Sequence, residues 1–310
     1  MPATGRFQPL GDPNRSRPGV TTAAPPAPLV LFGTTFSNPV LLAAGTAGFG
    51  RELAGVVDLD MLGGLVTKAV SLEPRHGNLP PRVAEFDGGM LNSIGLANPG
   101  LAEVASTELP WLRANLAHAR VFVNVVGFTE GEYGRVIEGL DPVGGMVGYE
   151  LNLSCPNTSA GGIEFGADPA AVARIVGLCR AVTRRPLIAK LSPALPDIPG
   201  LAAAAVDAGA DGITVVNTMP GLVYEGPGPR LGNGNGGVSG PALLPVGLLA
   251  TTRVRRRLPD IPIIGVGGIR TLEHVHQYLL AGASLVAIGT AGLADPRLPE
   301  RLARQWLAGG

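Results

Sequence analysis

The amino-acid sequence predicts an α/β fold, a single TIM (β/α)8 barrel, and three observations carry that prediction. Eight short aliphatic runs recur along 310 residues. Segments with helical spacing separate them, and a parallel connection needs such a crossover. Hydrophobic residues make up 45% of the chain and aromatics only 5%, so the core must be built from Val, Ile, Leu and Ala, the side chains that fill parallel sheets and their covering helices. A barrel of roughly 250 residues plus extensions accommodates this length in one domain. An open, doubly wound sheet is the alternative that the same pattern allows.

In order, the strands are expected at residues 40–44, 64–69, 121–126, 148–153, 187–191, 212–216, 261–266 and 285–288. After the fourth strand, Asp168-Pro169 reads as N-cap and first helical residue, followed by Val172, Ile175, Val176, Cys179 and Val182 on one face. Gly209 and Gly282 stand where helices should end. Residues 1–28, rich in Pro, Arg and Thr, are expected to be a mobile tail, with the barrel filling residues 29–310.

Composition excludes several function classes. Lys+Arg and Asp+Glu are both 24, so no net field draws the chain to nucleic acid or to an anionic membrane. Apolar runs stop short of the roughly 18 residues that span a bilayer, and the N-terminus has no signal-peptide apolar region. A cytoplasmic location and a small-molecule substrate are expected. The two cysteines, Cys155 and Cys179, are too few for a disulfide framework or for an iron–sulfur cluster. No metal site is expected.

In a TIM barrel the residues just past each strand line the active face. Those positions hold Thr46, Lys68, Asn124, Asn152, Cys155, Lys190 and Asn217-Thr218. Lysines at two strand ends suggest an anionic or electron-rich ligand, because a buried cation needs an anionic partner. Asn92, Asn124, Asn152, Asn157 and Asn217 offer paired donors and acceptors suited to imide or amide edges. Gly267-Gly268 after the seventh strand and Gly289-Thr290 after the eighth fit a phosphate site, although tight turns without a ligand read the same way. Cys179 falls on an apolar helix face and reads as core. Cys155 is either packing or a tuned base, since His76, His118, His274 and His276 lie away from strand ends.

These residues sit in segments that resemble the class 1 dihydroorotate dehydrogenases from about Pro28 to the C-terminus. The matching stretches are Ala44-Gly-Thr-Ala-Gly-Phe-Gly50, Gly89-Met-Leu-Asn-Ser-Ile-Gly-Leu-Ala-Asn-Pro-Gly100, Glu150-Leu-Asn-Leu-Ser-Cys-Pro-Asn157, Lys190-Leu-Ser-Pro193, Gly236-Gly-Val-Ser-Gly-Pro241 and Gly265-Val-Gly-Gly-Ile269. The resemblance implies that Thr46, Lys68, Ala69, Asn124, Asn152, Lys190, Val216, Gly240, Gly267, Gly268, Gly289 and Thr290 hold FMN. It implies that Lys68, Asn92, Ser93, Ile94, Gly95, Leu96, Asn152, Asn157, Asn217 and Thr218 hold dihydroorotate or orotate. Cys155 is then the base that removes the C5 proton while hydride leaves C6 for the flavin. The segment from Pro156 to Asp168, with Gly161, Gly162 and Gly166, is expected to act as a lid.

Phe49-Gly50-Arg51-Glu52, Glu108-Leu-Pro-Trp-Leu112 and Gly161-Gly-Ile163 resemble class 1B, the NAD-linked catalytic subunit, more than the fumarate-using class 1A. Class 1B implies a homodimer that forms a heterotetramer with a subunit carrying FAD and a 2Fe–2S cluster, in pyrimidine (UMP) biosynthesis. The chain departs from the family at Val70-Ser71, at Met219-Pro220, in the Pro/Gly-rich run at 224–231 and in its long tail. Rival readings are a related dihydropyrimidine oxidoreductase or dihydrouridine synthase, a flavin-free barrel using Lys190 as a Schiff base, and a non-catalytic binding barrel.

Overall fold

The computed structural model describes residues 29–154, 156–157 and 163–309. Eight parallel strands close into a barrel: β1 (Val40–Leu42), β2 (Gly64–Val66), β3 (Arg120–Val125), β4 (Gly148–Asn152), β5 (Leu187–Leu191), β6 (Gly212–Val215), β7 (Ile263–Val266) and β8 (Leu285–Ile288). The ring closes where Ile288 of β8 pairs with Leu42 of β1. Nearly every strand residue is buried, as expected of strands covered on both faces. No helix among the described residues is long and apolar enough to cross a membrane.

All eight expected strands form, most of them shorter than their apolar runs. The seventh begins at Ile263 because Pro262 has no N–H to give a ladder, and the Pro262 carbonyl instead accepts from Ile213 N at 3.1 Å. The second ends at Val66 because Lys68 N turns away to bond Gly48 O at 2.7 Å. The Asp168 carboxylate caps the helix Pro169–Val182 by accepting from Ala170 N and Ala171 N. Val172, Ile175, Val176 and Cys179 are buried as the spacing requires, whereas Val182 is 37% exposed because the helix ends there. Gly209 and Gly282 follow their helices at φ +109° and +103° and close them as expected.

The sequence pattern misses three features. β1 is followed by a single 3-10 turn at Leu59–Met61 in place of a helix. A hairpin of Leu29–Leu31 and Thr34–Phe36 closes the N-terminal end of the barrel. Its turn residues Phe32 and Gly33 both have positive φ, and the Phe32 ring meets Phe122 edge-on at 5.5 Å while Phe36 stacks on the other side at 6.2 Å. With Leu41, Val66, Ile188, Ile264 and Leu285, these rings form the lower barrel core.

The third feature lies at the opposite end. Long excursions after β2 and β6 contribute Val83–Phe86, Gly89–Asn92, Gly236–Ser239 and Met219–Gly221 to a four-stranded antiparallel sheet over the mouth. The expected tail at 1–28 lies outside the described residues.

Phe122 is fully buried between two rings, so Phe122→Ala removes both aromatic contacts and leaves a cavity. The expected loss is about 3–5 kcal/mol of stability, read as a lower denaturation midpoint. A loss under about 1 kcal/mol would mean that the hairpin does not depend on that ring.

Candidate functional site

Strand register sets out the mouth of the barrel. Asn124 of β3 lies opposite Glu150 of β4, Asn152 of β4 opposite Lys190 of β5, and Lys190 opposite Thr214 of β6. Side chains alternate along a strand, so Glu150 and Asn152 share a face that Leu151 does not. Glu150 is 1% exposed and three neighbours converge on it. Asn124 Nδ2 donates to Oε1 at 2.8 Å, Lys190 Nζ lies 3.4 Å from the same oxygen, and Thr214 Oγ1 donates to Oε2 at 2.8 Å. A buried carboxylate and a buried ammonium thereby meet each other's charge. Asn124 N is satisfied by Thr67 Oγ1, but Asn124 Oδ1 is buried without a hydrogen-bond partner among the described residues. An orphaned acceptor in such a place calls for a donor from a ligand or from water.

Two lysines at strand ends suggested an anionic ligand, and the structure separates them. The charge of Lys190 is met by Glu150 inside the protein, so Lys190 alone does not demand a ligand anion. Lys68 is half-buried and makes no ion pair among the described residues.

The glycine pairs after β7 and β8 sit side by side. Gly267 and Gly268 have φ of +126° and +72°, a conformation open to glycine. A Cβ on Gly268 would come within 2.6 Å of Leu244 N, at the start of the helix Leu244–Arg257. Tyr278 Oη donates to Gly267 O at 2.8 Å, and burial pushes its phenol up, so that it stays a donor. Gly265 makes room for the same ring, since a Cβ there would lie 2.3 Å from it. Thr290 Oγ1 meets Ser239 Oγ at 2.8 Å, which ties the β8 loop to the covering sheet beside Gly240. Gly289 faces Thr46 across the β1–β8 seam, 3.9 Å from Thr46 Oγ1 when a Cβ is added.

Asn92 lies on the covering sheet and donates from Nδ2 to Gly237 O at 3.1 Å. Ser93, Ile94, Gly95 and Leu96 follow it in a fixed loop. Asn78 donates to Ser93 Oγ at 2.8 Å, and Asn78 N to Ile94 O at 3.1 Å. Leu96 is held at φ +57°, unfavourable for a leucine. The buried Asn98 holds it there: its Nδ2 donates to Leu96 O at 2.8 Å and to Ser71 Oγ at 2.8 Å, and its Oδ1 accepts from Gly100 N at 2.9 Å. Asn217 Nδ2 reaches Asn152 Oδ1 at 3.4 Å, and Thr218 N donates to Asn217 Oδ1 at 2.9 Å. Ala69 and Val216 are buried beside these strand ends.

Cys155 lies outside the described residues, as do Gly161 and Gly162 of the expected lid. The flanking backbone of that segment is an antiparallel pair, Pro156–Asn157 with Ile163–Glu164, followed by a turn in which Gly166 N bonds Leu153 O at 2.8 Å. Cys179 is core, with burial pushing its thiol up to about 12. Glu150, Thr214, Asn98 and Ser239 are the site residues that the strand-end reading overlooks. A Glu inside an otherwise aliphatic β4 is the signal that points to the first of them.

A closed parallel barrel with lysines, amides and glycine pairs gathered at its C-terminal mouth has the architecture of a TIM-barrel enzyme. Comparison with known proteins gives the particular family. The dihydroorotate dehydrogenase family profile matches residues 29–307. The chain is 42% identical over 282 residues to the "Dihydroorotate dehydrogenase B (NAD(+)), catalytic subunit" of Pelobacter propionicus, covering 89% of this chain and 92% of that protein. It is 46% identical over 270 residues to the protein of the same name from Desulforudis audaxviator, covering 86% and 87%. It is also 46% identical over 277 residues to the "Putative dihydroorotate dehydrogenase A (fumarate)" of Solibacter usitatus, covering 89% and 90%. The chain belongs to the dihydroorotate dehydrogenase family, a family of flavin-dependent oxidoreductases.

Asn98→Ala strips the partner from Leu96 O and Gly100 N at once, each buried group costing about 1–3 kcal/mol when unpaired. The expected result is a folded barrel with faster proteolysis within residues 72–98 and weaker orotate binding. Unchanged proteolysis would show that the loop holds itself.

Proposed function

We propose that this chain oxidises dihydroorotate to orotate on FMN in pyrimidine biosynthesis, as the catalytic subunit of a class 1B enzyme working in the cytoplasm. The observation that carries the reading is the buried set of Asn124, Glu150, Lys190 and Thr214 at the strand ends, in a chain whose family match runs over residues 29–307. FMN, when bound, supplies the hydride acceptor. The residues fit that group on two counts: Asn124 Oδ1 is an orphaned buried acceptor suited to an imide N–H, and the backbone at Gly267-Gly268 and Gly289-Thr290 suits a phosphate.

The remaining roles belong to the protein. Lys190 would hold its ammonium where a bound ring gains negative charge on reduction. Asn152 and Asn217, already within hydrogen-bond reach of each other, orient the pyrimidine amides beside Asn92 and Thr218. Lys68 offers its ammonium to the substrate carboxylate, and Ser93 to Leu96 close over the ring. Cys155 takes the C5 proton as hydride departs from C6, so that the two hydrogens leave to two separate acceptors. A partner subunit with FAD and a 2Fe–2S cluster would carry the electrons to NAD, a reading supported by relatives named as NAD-linked catalytic subunits. A second reading, a fumarate-linked class 1A enzyme, is favoured by the name of the Solibacter relative.

An anaerobic visible spectrum of the purified chain tests the central reading. A bound-flavin spectrum that bleaches on adding dihydroorotate is expected, and a chain that cannot be reconstituted with FMN would refute it. Reoxidation of the bleached chain by fumarate alone would select the second reading. In Cys155→Ser, FMN should stay bound while reduction by dihydroorotate slows by about 100-fold or more; an unchanged rate removes Cys155 from its role.

Lys68→Met provides a separate test. Because Lys68 has no internal ion pair among the described residues, thermal stability should hardly change, while orotate binding weakens by about 10- to 100-fold, the value of a charge-assisted hydrogen bond. Equal affinity by equilibrium titration would place the substrate carboxylate elsewhere.

A further inference from the structure

A carboxylate 1% exposed inside a barrel is costly unless its charge is met. Glu150 persists there because three strands bring it partners, Asn124 from β3, Lys190 from β5 and Thr214 from β6. None of the roles in the proposed reaction requires it to touch substrate or flavin. We infer that Glu150 is a positioning residue that acts through Asn124 and Lys190, fixing the hydrogen-bond polarity of the cofactor edge and setting its reduction potential. This rests on the flavin reading given above.

An ionised carboxylate only accepts hydrogen bonds. Asn124 must therefore turn its NH2 toward Glu150 Oε1, which forces its carbonyl oxygen to remain the acceptor left for a ligand. Lys190 gives one direction of its ammonium to the same oxygen at 3.4 Å and keeps two N–H donors. The protein edge thus reads acceptor beside cationic donor. Its complement is a ring edge with an N–H next to an oxygen or nitrogen that gains negative charge, the imide edge of an isoalloxazine. If Asn124 were free to rotate, that order would not be fixed.

With Glu150 Oε1 beside it, the Lys190 ammonium presents a largely cancelled charge to the ring, and the favourable field that would hold the reduced, anionic form is tempered. Thr214 modulates this in turn, because its hydroxyl at 2.8 Å from Oε2 draws part of the carboxylate's charge away from Lys190. Loss of the carboxylate should therefore raise the potential of bound flavin, and loss of the Thr214 hydroxyl should lower it. Opposite signs for two neighbours of one lysine are not what a purely structural role would give.

The experiment measures the midpoint potential of FMN bound to the full chain, wild type against Glu150→Gln and Thr214→Val, with no turnover involved. In Glu150→Gln, reduced FMN should gain at least about tenfold in affinity relative to oxidised FMN, an upward shift of about 30 mV for the two-electron couple. Thr214→Val should shift downward. An unmoved or lowered potential in Glu150→Gln overturns the inference, as does an unchanged or raised potential in Thr214→Val. Should Glu150→Gln fail to fold, Thr214→Val decides alone, an unchanged or raised potential refuting the inference. A wild-type chain that binds no FMN refutes the flavin reading and the inference with it, whereas flavin bound normally with potentials unmoved by either variant refutes the inference only.

Discussion

The mouth of this barrel is arranged around a buried ion pair between Glu150 and Lys190. Glu150 and Lys190 are each almost fully buried and stand on adjacent parallel strands, where Glu150 lies opposite Ile188 and Lys190 opposite Asn152, so the lysine side chain spans the two-residue offset to bring Nζ within 3.4 Å of Oε1. Breaking such a pair by removing one member leaves a charge in a low-dielectric place, which typically costs about 3–5 kcal/mol. Replacing both with aliphatic residues would be far less damaging to the fold. Stability alone therefore does not account for a pair in this position. Its other partners, Asn124 and Thr214, extend the constraint to four of the eight strands.

The two ends of the barrel divide the work. At the N-terminal end, Phe32, Phe36 and Phe122 fill the opening with rings and exclude water, and no polar side chain is needed among them. At the C-terminal end the chain spends two long excursions on a covering sheet, where Asn92 bonds Gly237 and Ser239 bonds Thr290. These contacts join the segment after β2 to the segment after β6, and then to the loop after β8. Those hydrogen bonds fix the three segments relative to one another over the mouth of the barrel.

The barrel was legible because strands buried on both faces carry unbroken aliphatic runs, and because Asp168, Gly209 and Gly282 mark helix ends by local chemistry. The strand-end rule was enough to collect Lys68, Asn124, Asn152, Lys190 and Asn217 from the linear sequence. Glu150 was visible only as one residue of a motif. Its meaning depends on which residues stand opposite it on two neighbouring strands, and register between distant strands is not written in any local pattern. The hairpin around Phe32 and the covering sheet escaped for a related reason. Their strands are three or four residues long, too short for a period of two to declare itself. Asn98 was overlooked because an asparagine beside proline reads as a turn residue, and its five hydrogen bonds to Ser71, Leu96 and Gly100 join segments up to 27 residues apart.

The choice of electron acceptor follows a different logic from the choice of substrate. Two relatives equally similar to this chain, both 46% identical over about the same span, bear names that differ in oxidant, one NAD-linked and one fumarate-linked. A difference in acceptor is therefore compatible with a shared barrel and cannot be a property of overall likeness. The buried set of Asn124, Glu150, Lys190 and Thr214 stands on the barrel strands themselves rather than on the covering segments. The hairpin of Tyr224–Glu225 with Gly228–Pro229 lies largely exposed, whereas Val70 and Ser71 are fully buried, so the departures read from the sequence are not confined to one layer of the molecule.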